Sequence, residues 1–200
     1  MNSKKFKGAS VIISSIMLIG VLLVITSVAY TWGMPMIQRN MDKPTLYKAE
    51  NFLDKLDKKV DEVAKLGSIE ELVFNIPGEI KIDAKNNTIE FSVQTETAIY
   101  GGGQFICFSK SCNLTGGEFG EDSYSVTGAY VHMLDTYASL TTYKIIYRNL
   151  TKSDGSVYLL DIVTPYNATI IGSENSKIVI SKIGEERGAL TKTLVLVDIR

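Results

Sequence analysis

The residues with the greatest potential for chemistry in this chain are two cysteines, Cys107 and Cys112, and a single histidine, His132. Two thiolates and one imidazole are too few to complete a four-ligand zinc site. The other chemistry open to the cysteines is a local disulfide, which persists in compartments outside the cytoplasm. We therefore expect a Cys107–Cys112 disulfide, no metal site, no cofactor and an ordinary strand or loop position for His132.

A cluster of carboxylates, Glu118, Glu121 and Asp122, lies in a glycine-rich stretch. It lacks the alternating oxygen ligands of an EF-hand loop, so a solvated loop is favoured over a calcium site. The chain also contains no G-x-S-x-G element and no recognisable pairing of cysteine with histidine. We therefore expect a protein that is not an enzyme.

Four Asn-x-Thr motifs offer a different chemistry, that of surface glycosylation. They begin at Asn86, Asn113, Asn149 and Asn167. Each lies near an expected turn, where a bulky polar modification can be accommodated. Asparagine followed by threonine is also common in unmodified turns, so both interpretations stay open.

The element that decides the surroundings of these residues is an apolar run at residues 9–32. Its 24 residues include no Asp, Glu, Lys, Arg, Pro or Asn. As a helix the run is about 36 Å long, which spans a hydrocarbon core of about 30 Å. Three lysines precede it at positions 4, 5 and 7. Because basic residues stay on the cytoplasmic side, the rest of the chain is expected outside.

Three interpretations of this run compete. A removable secretory signal has an apolar region of about 7–15 residues, and this run is too long, although Ser27-Val28-Ala29 is a weak cleavage pattern. A plain single-pass anchor is the second interpretation. The third depends on the pair Lys7-Gly8 placed directly before the run, followed by the small residue Ala9.

In this placement of Lys7, Gly8 and Ala9 the chain resembles the archaeal type IV pilin-like proteins. The resemblance implies that a prepilin peptidase recognises Lys7 and Gly8 and cuts after Gly8, so that Ala9 becomes the new N-terminus. It also implies other pilin subunits and an assembly machinery as partners. Bacterial pilins carry a glutamate at the fifth mature position, which is Ile13 here. That difference argues against the bacterial class.

In the pilin interpretation one helix meets lipid first and like helices afterwards. Lipid tails are as apolar as leucine, so association has to depend on close packing. The residues expected to contact lipid or neighbouring subunits are Val11, Ile12, Ile16, Leu18, Gly20, Leu22, Leu23, Ile25 and Val28.

After the run, Gly33, Pro35 and Pro44 predict a kink or a short break between Trp32 and Thr45. An amphipathic helix follows, with apolar residues in steps of three and four and a stop at Gly67. Its apolar stripe consists of Leu46, Ala49, Leu53, Leu56, Val60 and Val63. The stripe can pack on the following domain or form a seam between subunits. The first is favoured, because the stripe from Leu46 to Val63 spans fewer than three heptads.

Beyond Gly67 the apolar period changes to two, which is typical of strands. Residues 79–82 and 89–93 predict a hairpin around Asn86-Asn87, and residues 177–182 and 191–198 predict another near the C-terminus. A third hairpin is expected between residues 142–148 and 157–163. The predicted fold class is α+β, with an antiparallel all-β domain of the sandwich type and roughly seven to nine strands.

The resulting domain division is a basic leader at 1–8, a membrane and filament-core helix at 9–33, a kinked connection with an amphipathic helix at 34–67, and an extracellular β domain at 68–200. Loss of the leader changes the net charge from −1 to −4. This negative charge gives no sign of the basic surface that nucleic-acid binding needs.

The expected function is that of a major or minor structural subunit of an archaeal type IV pilus-like filament, serving adhesion or surface interaction. The precursor is expected in the cytoplasmic membrane and the mature form at the cell surface. The alternative is a membrane-anchored surface binding module that does not polymerise.

We predict cleavage between Gly8 and Ala9. Gly8→Leu removes the small residue before the cut, so the leader should stay attached, whereas Ser3→Ala should be processed normally. Mass measurement of the N-terminus of the membrane-extracted protein checks this. An intact Met1 in the wild type, or a start near Tyr30, would contradict the assignment.

Overall fold

The computed structural model describes residues 7–95, 103–135, 138–188 and 190–200. This part of the chain contains one helix, α1 (Lys7–Leu66), and twelve strands. The strands are β1 (Ile69–Val73), β2 (Glu79–Asp83), β3 (Thr88–Thr95), β4 (Ile106–Cys107), β5 (Gly116–Glu118), β6 (Ser125–Asp135), β7 (Ala138–Tyr147), β8 (Asn149–Thr151), β9 (Val157–Val163), β10 (Ile170–Ser173), β11 (Lys177–Glu186) and β12 (Leu190–Ile199). An apolar N-terminal helix followed by sheets is consistent with the predicted α+β class.

The chain divides into two compact units, Met1–Met41 and Asp42–Arg200. The second unit, called the C-terminal domain below, contains the last turns of α1 together with all twelve strands of the described residues. The predicted break between Trp32 and Thr45 is wrong, because the backbone is helical at every position from Lys7 to Leu66. Proline removes one backbone donor, but its fixed φ near −65° is itself helical.

The apolar stripe of α1 packs into the C-terminal domain, as predicted. Leu53 is only 2% exposed, and Leu56 and Val60 are fully buried. Phe52 meets the rings of Phe74 and Phe91 edge to face, at centroid distances of 5.3 and 5.5 Å. The domain therefore begins near Asp42 rather than at residue 68, because these helical residues are part of its core.

Two sheets supply the rest of the core. Sheet A has the strand order β1-β11-β12-β9-β8-β5, and sheet B has the order β10-β2-β3-β7-β6-β4. Both contribute to one apolar cluster, sheet A through residues such as Ile180 and Val197, and sheet B through residues such as Phe91 and Tyr143. The Tyr143 hydroxyl also donates a hydrogen bond to the carbonyl oxygen of Leu46 in α1, at 3.3 Å.

Two of the three predicted hairpins are confirmed. Strands β2 and β3 pair antiparallel around Asn87, whose φ of 54° suits a tight turn. Strands β11 and β12 also pair antiparallel, with a bulge between Lys182 and Gly184. The middle prediction is wrong, because β7 pairs with β3 and β6 in sheet B whereas β9 pairs with β8 and β12 in sheet A. The chain changes sheets at Arg148, and the short strand β8 becomes the partner of β9.

The prediction of a purely antiparallel domain is also wrong. Strand β12 runs parallel to β9, and β5 runs parallel to β8, so sheet A is mixed. The number of strands in the described residues exceeds the predicted seven to nine, because β4, β5, β8 and β10 have only two to four residues each. Strands of this length are too short to show a period of two.

One asparagine joins the two sheets through its side chain. Asn87 donates from Nδ2 to the carbonyl oxygen of Leu160 and accepts at Oδ1 from the amide of Ile162, both at 2.8 Å. Its own carbonyl oxygen accepts from the amide of Tyr147 at 3.1 Å. Beyond the end of β8, the side-chain amide of Asn87 thus makes the backbone hydrogen bonds with β9 that a neighbouring strand would make.

We predict that the chain from Asp42 to Arg200 folds as a soluble monomer, whereas a chain starting at Ser68 aggregates or stays unfolded. The shorter chain lacks the buried helical residues and exposes the inner faces of both sheets. In the longer chain, Leu56→Ala should lower the free energy of unfolding by about 2–5 kcal/mol. Lys55→Ala, on the exposed side of the same helix, should change it by less than about 0.5 kcal/mol.

Size-exclusion chromatography and urea unfolding check these outcomes. Cooperative unfolding of the chain that starts at Ser68 would contradict the assignment of α1 to the core.

Candidate functional site

The first part of α1 presents an apolar surface on every side. The segment Ile13–Met34 has 22 residues and a mean hydropathy of 2.3, and none of it is buried. It is long and apolar enough to cross a membrane. The side chains of Ile16, Leu18, Leu22, Leu23, Ile25 and Val28, predicted to contact lipid or subunits, are all exposed. A Cβ atom added at Gly20 would meet no atom within 4 Å.

The processing residues Lys7, Gly8 and Ala9 lie in the first turns of α1. Their side chains, together with those of Val11 and Ile12 and all of residues 1–6, lie outside the described residues. The two threonine hydroxyls of the apolar segment bond to backbone of their own helix. Thr26 donates to the carbonyl oxygen of Leu22 at 2.7 Å, and Thr31 donates to that of Val28 at 3.0 Å. Such internal bonding lets a hydroxyl enter apolar surroundings.

The predicted disulfide is present between Cys107 and Cys112. Nearby, the side chain of Arg148 is completely buried. It donates to the carbonyl oxygen of Asn113 at 2.7 Å, to Ser111 Oγ at 3.2 Å and, through both Nε and Nη2, to the carbonyl oxygen of Ser123 at 3.2 Å. Arg148 therefore fixes the disulfide loop and the segment that follows it. Sequence reasoning missed this residue, because an arginine at the end of a strand gives no signal of burial.

Of the three clustered carboxylates, one bonds to the local backbone and two are exposed. Asp122 accepts from the amide of Glu118 at 2.9 Å and lies 3.7 Å from the guanidinium of Arg148. Glu118 and Glu121 are exposed. Within the described residues no group of three or more His, Cys, Asp or Glu side chains is placed to hold a metal ion. His132 is exposed and packs edge to face on Tyr130 at 5.0 Å.

All four asparagines of the glycosylation motifs are exposed. Asn86 donates to Asp83 Oδ2 at 2.8 Å, and its partner residue Thr88 is buried. Asn113 accepts from the amide and the hydroxyl of Thr115. Asn149 lies in β8, and Asn167 adopts a φ of 51°. Local hydrogen bonds thus account for two of the motifs, and glycosylation stays a prediction for all four.

A polar cleft of about 370 Å³ lies between the last turns of α1 and the segment 120–125. The hydroxyl of Ser125 donates to Asp57 Oδ1 at 2.6 Å, and Lys65 pairs with Asp61 Oδ2 at 2.7 Å. Two buried oxygens that line the same cleft, Asp61 Oδ1 and the Tyr147 hydroxyl, have no partner within the described part of the chain. The cleft is thus a polar part of the boundary between helix and sheets.

Burial raises the pKa of Asp57 from 3.8 to about 6, and the neighbouring Asp61 and Asp54 add to the rise. The hydrogen bond from Ser125 opposes it. Burial also raises the pKa of Tyr147 well above its ordinary value, with Asp57 and Asp61 contributing. At neutral pH the domain therefore holds an ionised Asp57 at a cost in folding free energy.

Two features of the described chain thus offer surfaces to a partner: the all-round apolar segment of α1, and the clefts where α1 meets the loops around residues 118–125. Comparison of the chain with protein-family models, with curated proteins and with solved structures gives no match. The function has to be inferred from the chemistry of these two features.

We predict that Asp57→Asn stabilises the C-terminal domain at pH 8. A carboxyl whose pKa is raised on folding stabilises fully below its unfolded pKa and loses that contribution as pH rises through the folded value. The shift from 3.8 to about 6 corresponds to about 3 kcal/mol. Asparagine keeps an acceptor for Ser125, so the variant should gain up to that amount at pH 8 and almost nothing below about pH 3, where the carboxyl is protonated in both states.

The measurement is the difference in unfolding free energy between variant and wild type across this pH range. The difference isolates Asp57 from the other charged and titratable groups around it, which are Asp54, Lys58, Asp61, Lys65, Glu121, Asp122, Tyr124 and Tyr147. The control is Glu174→Gln, which removes an exposed carboxyl outside this cleft. An equal pH profile for Asp57→Asn and wild type would contradict the prediction.

Proposed function

We propose that the chain is the membrane-inserted precursor of a structural subunit of an archaeal type IV pilus-like surface filament. The observation that supports the proposal is that the two parts of α1 differ in exposure. Its Ile13–Met34 segment is apolar on all sides and exposed, whereas its later turns form the core of the C-terminal domain. One helix thereby joins a segment that needs lipid or like helices to a domain that needs neither.

The apolar segment suits two environments of similar polarity. No charged residue lies in 9–32, so transfer from a bilayer to a bundle of like helices breaks no ion pair. Because lipid tails are as apolar as the helix, the free energy of assembly has to come from packing. Exposed branched side chains such as Ile16 and Val28, and the open space at Gly20, suit such packing.

Processing would release the helix from its cytoplasmic leader. Three lysines at positions 4, 5 and 7 hold the N-terminus on the cytoplasmic side while the leader is attached, because moving charges across the bilayer is costly. Cleavage after Gly8 removes all three and leaves an apolar start at Ala9. The partners of this scheme are a prepilin peptidase, the assembly machinery and other pilin subunits.

The C-terminal domain would cover the outside of the filament and make contacts with surfaces. Its disulfide suits an oxidising compartment. Hydrogen bonds from Arg148 hold its loops after β4 and β5 in place. We propose a structural and adhesive role for it rather than a catalytic one.

The second candidate function is a single-pass surface binding module that keeps its anchor and never polymerises. The same exposed apolar segment of α1 favours it, because a lone membrane helix has this composition as well. The two functions differ in the fate of residues 1–8 and in the need for contacts between helices.

We predict that Val21→Lys abolishes surface filaments. A charge at the bilayer centre costs at least about 2.5 kcal/mol on insertion scales, and it would be equally unfavourable in an apolar bundle. Val21→Leu keeps the polarity and should leave filaments intact. Electron microscopy of surface appendages, with crosslinking between subunits, makes the measurement.

Gly20→Leu separates the two functions, because it preserves membrane insertion while adding bulk to the helix surface. A filament subunit should lose crosslinks and filaments, whereas an isolated anchor should be unaffected. Filaments in a strain whose only copy starts at Thr45 would contradict assembly through this helix.

A further inference from the structure

Three aromatic rings form a platform on the C-terminal domain beside the end of α1. The platform consists of Phe119, Tyr124 and Tyr158, whose ring centroids lie 5.2 to 6.2 Å apart. Phe119 is 39% exposed, although it is one of the larger apolar side chains of the domain. The platform therefore offers an apolar surface to a partner.

The platform is held in place by bonds to its neighbours. The amide of Phe119 donates to the carbonyl oxygen of Thr151 at 2.9 Å, and the Tyr158 hydroxyl donates to Thr193 Oγ1 at 2.8 Å. A surface that is ordered before binding loses less conformational entropy when a ligand docks.

Two lysines lie against rings of this platform. Lys152 Nζ lies 4.9 Å from the centroid of Phe119, and Lys65 Nζ lies 5.2 Å from that of Tyr124. Both distances are within the range of cation–π attraction. Both ammonium groups are therefore held close to the aromatic surface. That of Lys65 is paired with Asp61, and that of Lys152 can reach a ligand that contacts the rings.

A basic cleft of about 440 Å³ adjoins Phe119 and Tyr158. Its charged lining consists of Lys65, Lys152, Lys182, Arg187 and Glu185. The single carboxylate accepts from both Lys182, at 2.7 Å, and Arg187, at 3.2 Å, and these two cations lower the pKa of Glu185. Lys65 is also paired with Asp61 of the adjoining cleft at 2.7 Å. Four cations against these two carboxylates still leave a positive surplus in a chain whose net charge is −1.

The other side of Phe119 has the opposite charge. There a cleft of about 470 Å³ is lined by Glu118, Glu121 and Asp154, with Lys152 at the boundary. The Phe119 ring thus separates a basic cleft from an acidic one. A sugar ring that carries its carboxylate on one edge can place that carboxylate on the basic side and its neutral hydroxyls on the acidic side, whereas a ligand with negative charge on both sides of the Phe119 ring would be repelled.

We propose that the platform and the basic cleft bind an acidic polysaccharide, a sugar chain whose rings carry carboxylates. The C–H face of a sugar ring packs on Phe119, and a carboxylate accepts charge-assisted bonds from Lys152 and Arg187. Thr191 lines the same cleft and is partly exposed, so its hydroxyl can bond to those of the sugar. The assignment rests on the proposed function only in so far as that function places the domain at the cell surface.

The first test is binding of the full chain, in detergent micelles, to oligogalacturonate, measured by calorimetry. The oligomer should bind, salt should weaken binding because it screens exposed charges, and neutral galactan should not bind. Single-stranded DNA should bind more weakly than the oligomer. Absence of oligogalacturonate binding, equal binding of galactan, or tighter binding of DNA would each overturn the proposal.

Variants assign the binding to this surface. Phe119→Ala and Lys152→Gln should each weaken the affinity for oligogalacturonate at least about tenfold. Lys177→Gln is the control, because it removes an exposed lysine that pairs with Glu71 on another part of sheet A, outside the basic cleft. Unchanged affinity in Lys152→Gln, or an equal loss in Lys177→Gln, would contradict the assigned site.

The outcome is distinguishable from failure of the proposed function. Normal filaments together with absent oligogalacturonate binding would overturn the ligand assignment alone. Oligogalacturonate binding by a chain that keeps Met1 and never polymerises would overturn the filament assignment and uphold the ligand site. Normal filaments in Lys152→Gln, with weakened binding, would support both.

Discussion

Burial of the last turns of α1 is the interaction on which the rest of the structure depends. Residues such as Leu56 and Val60 are fully enclosed, and each contributes about 1.5–3 kcal/mol by removal from water. The contacts of Phe52 with Phe74 and Phe91 extend this core into sheet B. Because the inner faces of both sheets belong to the same apolar cluster, the helix cannot be separated from the domain without exposing them.

Buried polar groups complement this apolar core. Arg148 donates hydrogen bonds to carbonyl oxygens in the loops after β4 and β5, and the disulfide closes the first of these loops. Asn87 bonds across to β9 where no neighbouring strand is available. Leaving such buried groups unpaired would cost about 1–3 kcal/mol each. The bonds of Arg148 hold the loops after β4 and β5 in one conformation, and Phe119 lies in the second of these loops.

The arrangement separates two kinds of contact along the chain. The apolar segment Ile13–Met34 suits lipid and like helices, whereas the C-terminal domain presents polar clefts and an aromatic platform. In the proposed filament, assembly and surface contact would therefore depend on different residues. Asp57, in the last turns of α1, has a pKa of about 6, so the domain gains stability as the pH falls through that value.

The sequence alone determined the features that depend on local periodicity and composition. These include the apolar run, the buried stripe of α1, the hairpins β2–β3 and β11–β12, and the pairing of two cysteines five residues apart. Only the tertiary structure decided the switch of sheets at Arg148, the parallel pairing of β9 with β12, and the meeting of Lys65, Phe119 and Tyr158. The physical reason is that a period of two tells which side chains are buried but not which strand becomes the neighbour. Residues distant in sequence come together only through the pairing of strands, which the tertiary structure sets.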